Sequence, residues 1–526
     1  MTELRLAPAA VLVWVAVLAT IVTRGVGLAA GITVVSLSVL LLTRQWGQAV
    51  FCGSVAAAGI VVAWLRMKRA EVLQGFAGTL ELTVRGVRRT SSGAYLLDTD
   101  VLPVVSKEQV DAGSVIAADI TALPSDRPSI EGVLGIAHGV DILVPGGRAQ
   151  AIRASFAAAV GHVAGPDTRG LIPGMVLGDT SLQSPDEQAT YIATGLSHLS
   201  AVSGSNIAIV TTVAVLLLSW AGIWVRTLGA GSVLVGYVLL VGPEPSVLRA
   251  AVTGTVGLTA VVASRRSEPV HALCIAVIGL VLWDSNLAVN YGFALSVAAT
   301  AGIVAVSPLI YRALTFLPPL VARALSVAIA ADVVTMPIIA LMAGRISLVS
   351  VVANLLADAA VAPVTVLGLC GAVTMLLPGG LERIFIHLAE PGAWWIHTVA
   401  TWANNLPHST VGISAAWAVV LAGWITYLVL AGRPRLVACL LAAFVVWGGG
   451  AVPLRDGAVA HLRAVEVDGY DGKDHVDAEM IVDKQEGKPH VRATVTRWGQ
   501  PVVYPNRDGP VTVYEDGTQR AKSGAF

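Results

Sequence analysis

Apolar runs of membrane length dominate this chain, and only two sustained polar stretches interrupt them. A bilayer core is crossed by about 20 apolar residues in a helix. By that measure the chain opens with three spans, Ala7–Val22, Val26–Thr43 and Val50–Leu65, closed by the cluster Arg66, Lys68 and Arg69. No cleavage-site pattern follows the first run, so it reads as a retained span and not as a signal peptide. Next comes a polar block of about 80 residues in which the period changes to two. TLELTVRGVRRT, GAYLLDTDVLPVV and GSVIAADITAL alternate apolar and polar positions between Gly, Ser, Asp and Pro, which predicts a small all-β domain of barrel type. Ala149–Gly161 predicts an amphipathic helix with Arg148 and Arg153 on its wet face, and Leu171–Ser184 a loop.

From Leu199 to Trp447 apolar runs follow one another closely. Ile346–Leu377 holds Asn354, Asp358 and Pro363, which predicts a broken or re-entrant element. The aromatic stretch His387–Trp402 predicts a short interfacial segment. The tail from Arg455 is polar and strand-like. The expected units are 1–66, N-terminal helices; 67–147, the β domain; 148–450, the main membrane domain; and 451–526, a short β-like tail.

Composition agrees with this reading. Of 526 residues, 55% are hydrophobic and 13% charged, with a mean hydropathy of +0.74. A soluble domain carries about 25% charge, so this is a polytopic α-helical membrane protein with a small β domain inserted after the third span. The formal net charge of +0 hides an uneven spread, most of it between Arg66 and Asp141 and between Arg455 and Lys522. Arg265 with Arg266, and Arg433 with Arg435, mark cytoplasmic loops, whereas Arg66, Lys68 and Arg69 then fall on the other side. Cys52, Cys274, Cys370 and Cys439 stand far apart in apolar runs and suggest small buried side chains.

Ionisable or strongly polar groups inside membrane spans are costly and therefore functional candidates. Here they are His198, Asn206, Glu244, Arg249, His271, Asp332, Asn354 and Asp358. Each has a plainer reading: Glu244 in a wet turn, His271 among headgroups, Asp332 and Asp358 in helix packing. Arg249 is the sharpest, because its planar fork suits phosphate. His198 and Asn206 share a face if one unbroken helix carries both. Ser203 and Gly204 suit close helix packing. No metal, ATP or dinucleotide motif is present, and His461, His475 and His490 stand apart, so neither cofactor nor metal is expected. Two functions stay open on these residues: a conduit for an anionic polymer, or an intramembrane serine hydrolase using Ser203 or Ser205 with His198 or His271.

Five ordered elements add a resemblance. MVLGD (Met175–Asp179), TGLSHLSAVSG (Thr194–Gly204), PSVLRAA (Pro245–Ala251), YGFALSVAATAGI (Tyr291–Ile303) and the stretch Ala331–Pro363 resemble the signature of the ComEC competence family. That resemblance implies a multi-pass channel in the cytoplasmic membrane that passes single-stranded DNA during natural transformation, with an OB-like domain. It also implies a cytoplasmic helicase-type ATPase and a DNA-receptor protein as partners, and is compatible with a homo-oligomer; another anionic polymer is the alternative cargo. The pore or DNA path is expected at Asp179, His198, Ser203, Asn206, Arg249, Asp332 and Asn354, with Gly195, Gly204, Pro337 and Pro363 as helix breaks or packing points. Two departures matter. Asn206 stands where the family usually has His, and the tail after Arg455 is too short for the metallo-β-lactamase-like domain that ends many members. No enzyme activity, and in particular no nuclease activity, is therefore expected of the chain.

Overall fold

The computed structural model describes residues 5–89, 94–125, 127–262, 268–406 and 409–447, and in the tail 463–470, 478–487, 493–496, 500–514 and 519–521. Arg265, Arg266, His461, His475 and His490 lie outside the described residues. The fold is mostly helical. Helices α1 (Ala7–Thr23), α2 (Gly27–Leu42) and α3 (Trp46–Ala70) come first. Pro8 starts α1, where its missing N–H costs nothing, and Arg24 in the left-handed region ends it. Gly59 of α3 lets α1 close on it: an added Cβ would stand 2.7 Å from Val13 and 2.9 Å from Val17. With the turn that follows it, α3 is long and apolar enough to cross a membrane, while α1 and α2 are shorter apolar helices.

Strands β1 (Ala77–Arg89), β2 (Tyr95–Thr99), β3 (Val104–Ser106), β4 (Val115–Pro124) and β5 (Val133–Val144) follow α3 in the chain and close into a barrel ordered β1-β2-β3-β5-β4. The two-residue period that predicted them is what fills the barrel. Leu82, Val84, Leu97, Ile116 and Ile120 point inward and are fully buried. The β4–β5 loop anchors the barrel to the helices. Arg24 donates to the carbonyls of Ser129 and Ile130, and Asn286 bonds the Ile130 N–H and the Glu131 carboxylate.

The main bundle runs α4 (Arg148–Val163), α5 (Leu171–Leu177), α6 (Pro185–Ala193), α7 (Gly204–Leu217), α8 (Ile223–Val241), α9 (Pro245–Val262), α10 (Pro269–Trp283), α11 (Tyr291–Ala305), α12 (Ser307–Ala313) and α13 (Pro319–Ala343). A short hairpin, β6 (Arg345–Ser347) with β7 (Thr410–Gly412), brackets α14 (Ser350–Thr374) and α15 (Glu382–Asn404), and α16 (Ala415–Leu430) and α17 (Pro434–Trp447) close the bundle. Besides α3, helices α8, α13 and α14 are long and apolar enough to span, and α11 with α12 forms a further candidate bent by 47°.

Several expectations change here. The break expected within Ile346–Leu377 falls near its start, where β6 gives way to α14; from Ser350 onward α14 is continuous and carries Pro363 inside, as α13 carries Pro337. A further bend falls between α11 and α12, next to Pro308. Leu171–Ser184 is not all loop, because Leu171–Leu177 form the fully buried helix α5. His387–Trp402 is part of the longer α15. Arg153 is not on a wet face, for its Nη1 donates to the Val241 carbonyl at 2.8 Å. The described tail is strand-rich, with a four-stranded sheet of β8 (Ala464–Val467), β9 (Met480–Asp483), β10 (Thr494–Val495) and β11 (Pro501–Val503).

Candidate functional site

The segment from Gly195 to Ser205 links α6 to α7 and crosses the centre of the polar groups. Helix α6 is set by a capping box, in which Ser184 accepts from the Glu187 N–H while Glu187 accepts from the Ser184 N–H. Gly195 follows it with φ +75°, a left-handed conformation that favours glycine. A Cβ there would also stand 2.7 Å from the Ser350 Cβ, so the segment leans directly on the start of α14. Ser350 in turn donates to Asp332 Oδ1 at 2.5 Å, joining α14 to α13.

Asn354 and Asp358 follow Ser350 along α14 at intervals of four, on one helix face. A Cβ on Gly195 would lie 3.9 Å from Asn354 Nδ2, and the buried Asn354 Oδ1 has no hydrogen-bond partner among the described residues. His198 Nδ1 sits 3.1 Å from the Gly195 carbonyl and is therefore the donor there, leaving Nε2 for another partner. Asp358 is near enough for its charge to act on His198. Both side chains are solvent-exposed.

The other end of the segment has different company. Ser203 precedes α7 in extended backbone, but its hydroxyl makes no capping bond and pairs with the Ser205 hydroxyl at 2.5 Å. Arg249, the fifth residue of α9, is 8% exposed. Its Nε donates to Ser296 Oγ of α11 at 2.7 Å, and its Nη2 lies 2.6 Å from where a Cβ of Gly204 would be. Helix α14 passes α7 at Thr365, well along its length, whereas the starts of α7 and α9 come together beside the first half of α11. Each of these two starts presents the positive pole of its dipole there.

Two expected residues fall elsewhere. Asn206 is 2% exposed; its Nδ2 donates to the Met175 carbonyl at 2.7 Å, and its Oδ1 faces Thr365 Oγ1 at 3.5 Å. It belongs to the packed wall between α5, α7 and α14, not to the accessible side. It also shares no helix with His198, because α7 begins at Gly204. Asp179 does not cap α6; its Oδ1 accepts from the Ser181 N–H at 2.9 Å. Its charge acts on Arg153: burial lowers that guanidinium's pKa from the ordinary value, and Asp179, Glu244 and Asp111 pull it back up.

The sequence reading also missed partners. Ser350 and Ser296 touch the expected residues, and the polar spacing 350, 354, 358 on α14 was the available signal for the first. Gln183 was invisible to it: buried, it donates to the Gly170 and Ser200 carbonyls at 3.2 Å and 2.6 Å and fixes the segment from beneath. A serine–histidine dyad does not form among the described residues, since Ser203 pairs with Ser205 and His198 with Gly195.

A family model described as competence protein matches residues 175–436, which contain every residue of this site. ComE operon protein 3 of Bacillus subtilis (strain 168) is 28% identical over 246 residues, 46% of this chain. The match covers 30% of that protein, so the chain spans less than a third of the relative's length. No solved structure matches the chain.

Proposed function

Because the chain belongs to the ComEC competence family, we propose that it is a channel that passes single-stranded DNA across the cytoplasmic membrane during natural transformation. The observation that carries the reading is the partly accessible polar segment Gly195–Ser205, which runs from the start of α14 to the adjoining starts of α7 and α9. A conduit for a polyanion needs polar surface at membrane depth, fixed positive potential and no deep binding minimum. The segment has the first two, with Arg249 and the starts of α7 and α9 on one side. Asp332 and Asp358 lie on the other, where Asp332 is engaged with Ser350. The pairing of Ser203 and His198 with other groups favours conduit over hydrolase.

The five-stranded barrel is read as OB-like, a fold suited to oligonucleotides. Its β4–β5 loop is bonded to Asn286 between α10 and α11, and in this reading an arriving strand would meet the barrel first. Orientation follows from the basic residues. Arg44, Arg226, Arg312, Arg323, Arg433 and Arg435 sit at the end away from the barrel, which we place in the cytoplasm. Of the basic residues near the barrel, Arg66 is engaged with Ser285 and the Trp283 carbonyl, and Lys68 with Glu71. A cytoplasmic helicase-type ATPase would draw the strand and a DNA-receptor protein would deliver it, so the chain itself needs no catalysis.

Deleting the gene and scoring DNA bound outside the cell against DNA reaching the cytoplasm tests this. Binding should persist and internalisation should stop. Normal internalisation in the deletion strain overturns the channel reading.

A further inference from the structure

We propose that the start of α7, Ser203-Gly204-Ser205, and the Arg249 side chain together form a seat for one phosphodiester group. The proposal rests on the channel reading and adds a discrete anion site within it. Three independent features converge. First, the N-terminal N–H groups of a helix lack internal partners, and α7 leaves them without a side-chain cap. Ser203 has the extended backbone that Ser184 and Ser414 use to cap α6 and α16, yet its hydroxyl turns to Ser205 instead. Two hydroxyls are therefore gathered beside uncapped N–H groups.

Second, Arg249 is a buried cation without a counterion. Among the described residues no carboxylate lies within salt-bridge distance of it, although Lys68, Lys484 and Arg507 all have one. Burying an unpaired charge is strongly unfavourable, so an anion arriving there recovers what desolvation costs. Third, the fork is aimed. The Ser296 bond holds Nε, and Nη2 reaches the face of Gly204 that a Cβ would occupy. Gly204 is thus the opening that lets a guanidinium reach a helix start. Ser205 is exposed and Ser203 and Gly204 partly so, which leaves the seat open to an incoming group.

A phosphodiester suits this set. It carries a single negative charge and two free oxygens, which a planar fork can meet together with hydroxyl and backbone donors. It offers no base recognition, so the seat would read charge and spacing but not sequence. Free phosphate shares the chemistry, and the test separates the two.

The full chain is reconstituted in nanodiscs of phosphatidylcholine, and binding of a fluorescent oligothymidylate is followed by anisotropy across a salt series. The wild type should bind with a salt slope, and Arg249→Gln should weaken binding about tenfold and lower that slope by about one phosphate contact. Gly204→Ala, which keeps the charge and only displaces the fork, should weaken it in the same direction by less. Serine-to-alanine changes at both 203 and 205 should do likewise. An oligonucleotide with neutral methylphosphonate linkages should bind equally to the wild type and to Arg249→Gln. Unchanged affinity and slope in Arg249→Gln overturn the seat while the gene-deletion assay leaves the channel standing. Saturable binding of inorganic phosphate by calorimetry, with no detectable binding of the oligonucleotide, overturns the phosphodiester assignment. A loss seen in Arg249→Gln alone, with Gly204→Ala and the serine changes silent, also overturns the seat.

Discussion

The two ends of the Gly195–Ser205 segment are both glycine contacts, yet they are built on opposite principles. At Gly195 the chain is fixed mainly by paired groups, Asn354 Oδ1 apart: a left-handed turn against Ser350, a hydroxyl bonded to Asp332, and an imidazole on its own backbone. At Gly204 a cation is held in place by its stem while its charge stays unpaired. Satisfied buried groups make rigid structure, and an unsatisfied charge makes a place for a ligand. The same segment is thereby an anchor at one end and a receptor at the other. Substitutions should separate stability from transport according to the end they touch.

The largest stability effect is expected for Gly195→Ala. A non-glycine residue in the left-handed region costs roughly 1–2 kcal/mol, and forcing a methyl against Ser350 adds about 1–3 kcal/mol of overpacking. The purified protein should lose several degrees of thermal midpoint by tryptophan fluorescence. Combined with Ser350→Gly, the change should cost less than the two single changes added together, because the methyl then has room while the backbone strain and the lost Asp332 bond remain. A Gly195→Ala protein as stable as the wild type would break the anchor half of the contrast.

Ser350→Ala comes next. It removes the hydrogen bond to a largely buried Asp332 carboxylate, which costs about 1–3 kcal/mol when the partner is left unpaired. Ser350→Thr, which keeps the hydroxyl, should cost less. Asn206→Ala should follow, at roughly 1 kcal/mol for a net side-chain hydrogen bond lost to the Met175 carbonyl. Because Asn206 is wall and not pathway, its variant should change the thermal midpoint and leave the salt slope of oligonucleotide binding unaltered. A changed slope would move Asn206 into the path and blur the division.

What the sequence made legible follows the same division between pattern and partner. Hydropathy located α1 as Ala7–Val22 against the observed Ala7–Thr23, and alternation located β1 to β4 of the barrel, because both patterns record a burial period. The fully buried α5 was missed because LIPGMVL looks like a loop from its Pro and Gly. Its helix exists through tertiary contact: Val176 packs where Gly368 of α14 has no side chain, and the Tyr237 hydroxyl bonds the Val176 carbonyl at 2.8 Å. For the site, intramembrane polarity found Arg249, Asp332 and Asn354 singly. It could not say that Ser350 ties Asp332 to Gly195, or that Asn206 spends its amide on a carbonyl 31 residues away. Periodicity reports which face a residue is on, and the partner across the interface is set by the fold.

Gly204→Ala is the smallest change in stability and the sharpest test of the contrast. Unlike Gly195, Gly204 has no positive φ, so alanine meets no backbone strain. In a helix alanine even gains about 0.5–1 kcal/mol over glycine. Against that, the new methyl would stand 3.3 Å from the Ala250 Cβ and 2.6 Å from Arg249 Nη2. The first contact is tight but tolerable, and the second falls on the far end of a flexible side chain that can swing away. The thermal midpoint should therefore barely move. Swinging away, however, takes the fork off the helix start and separates the charge from the hydroxyls, so DNA internalisation should fall while external binding persists. Gly195→Ala should show the reverse order, with lost stability first and lost uptake as its consequence. If Gly204→Ala instead destabilises the protein as much as Gly195→Ala does, both ends are anchors, and the unpaired Arg249 must be explained by packing.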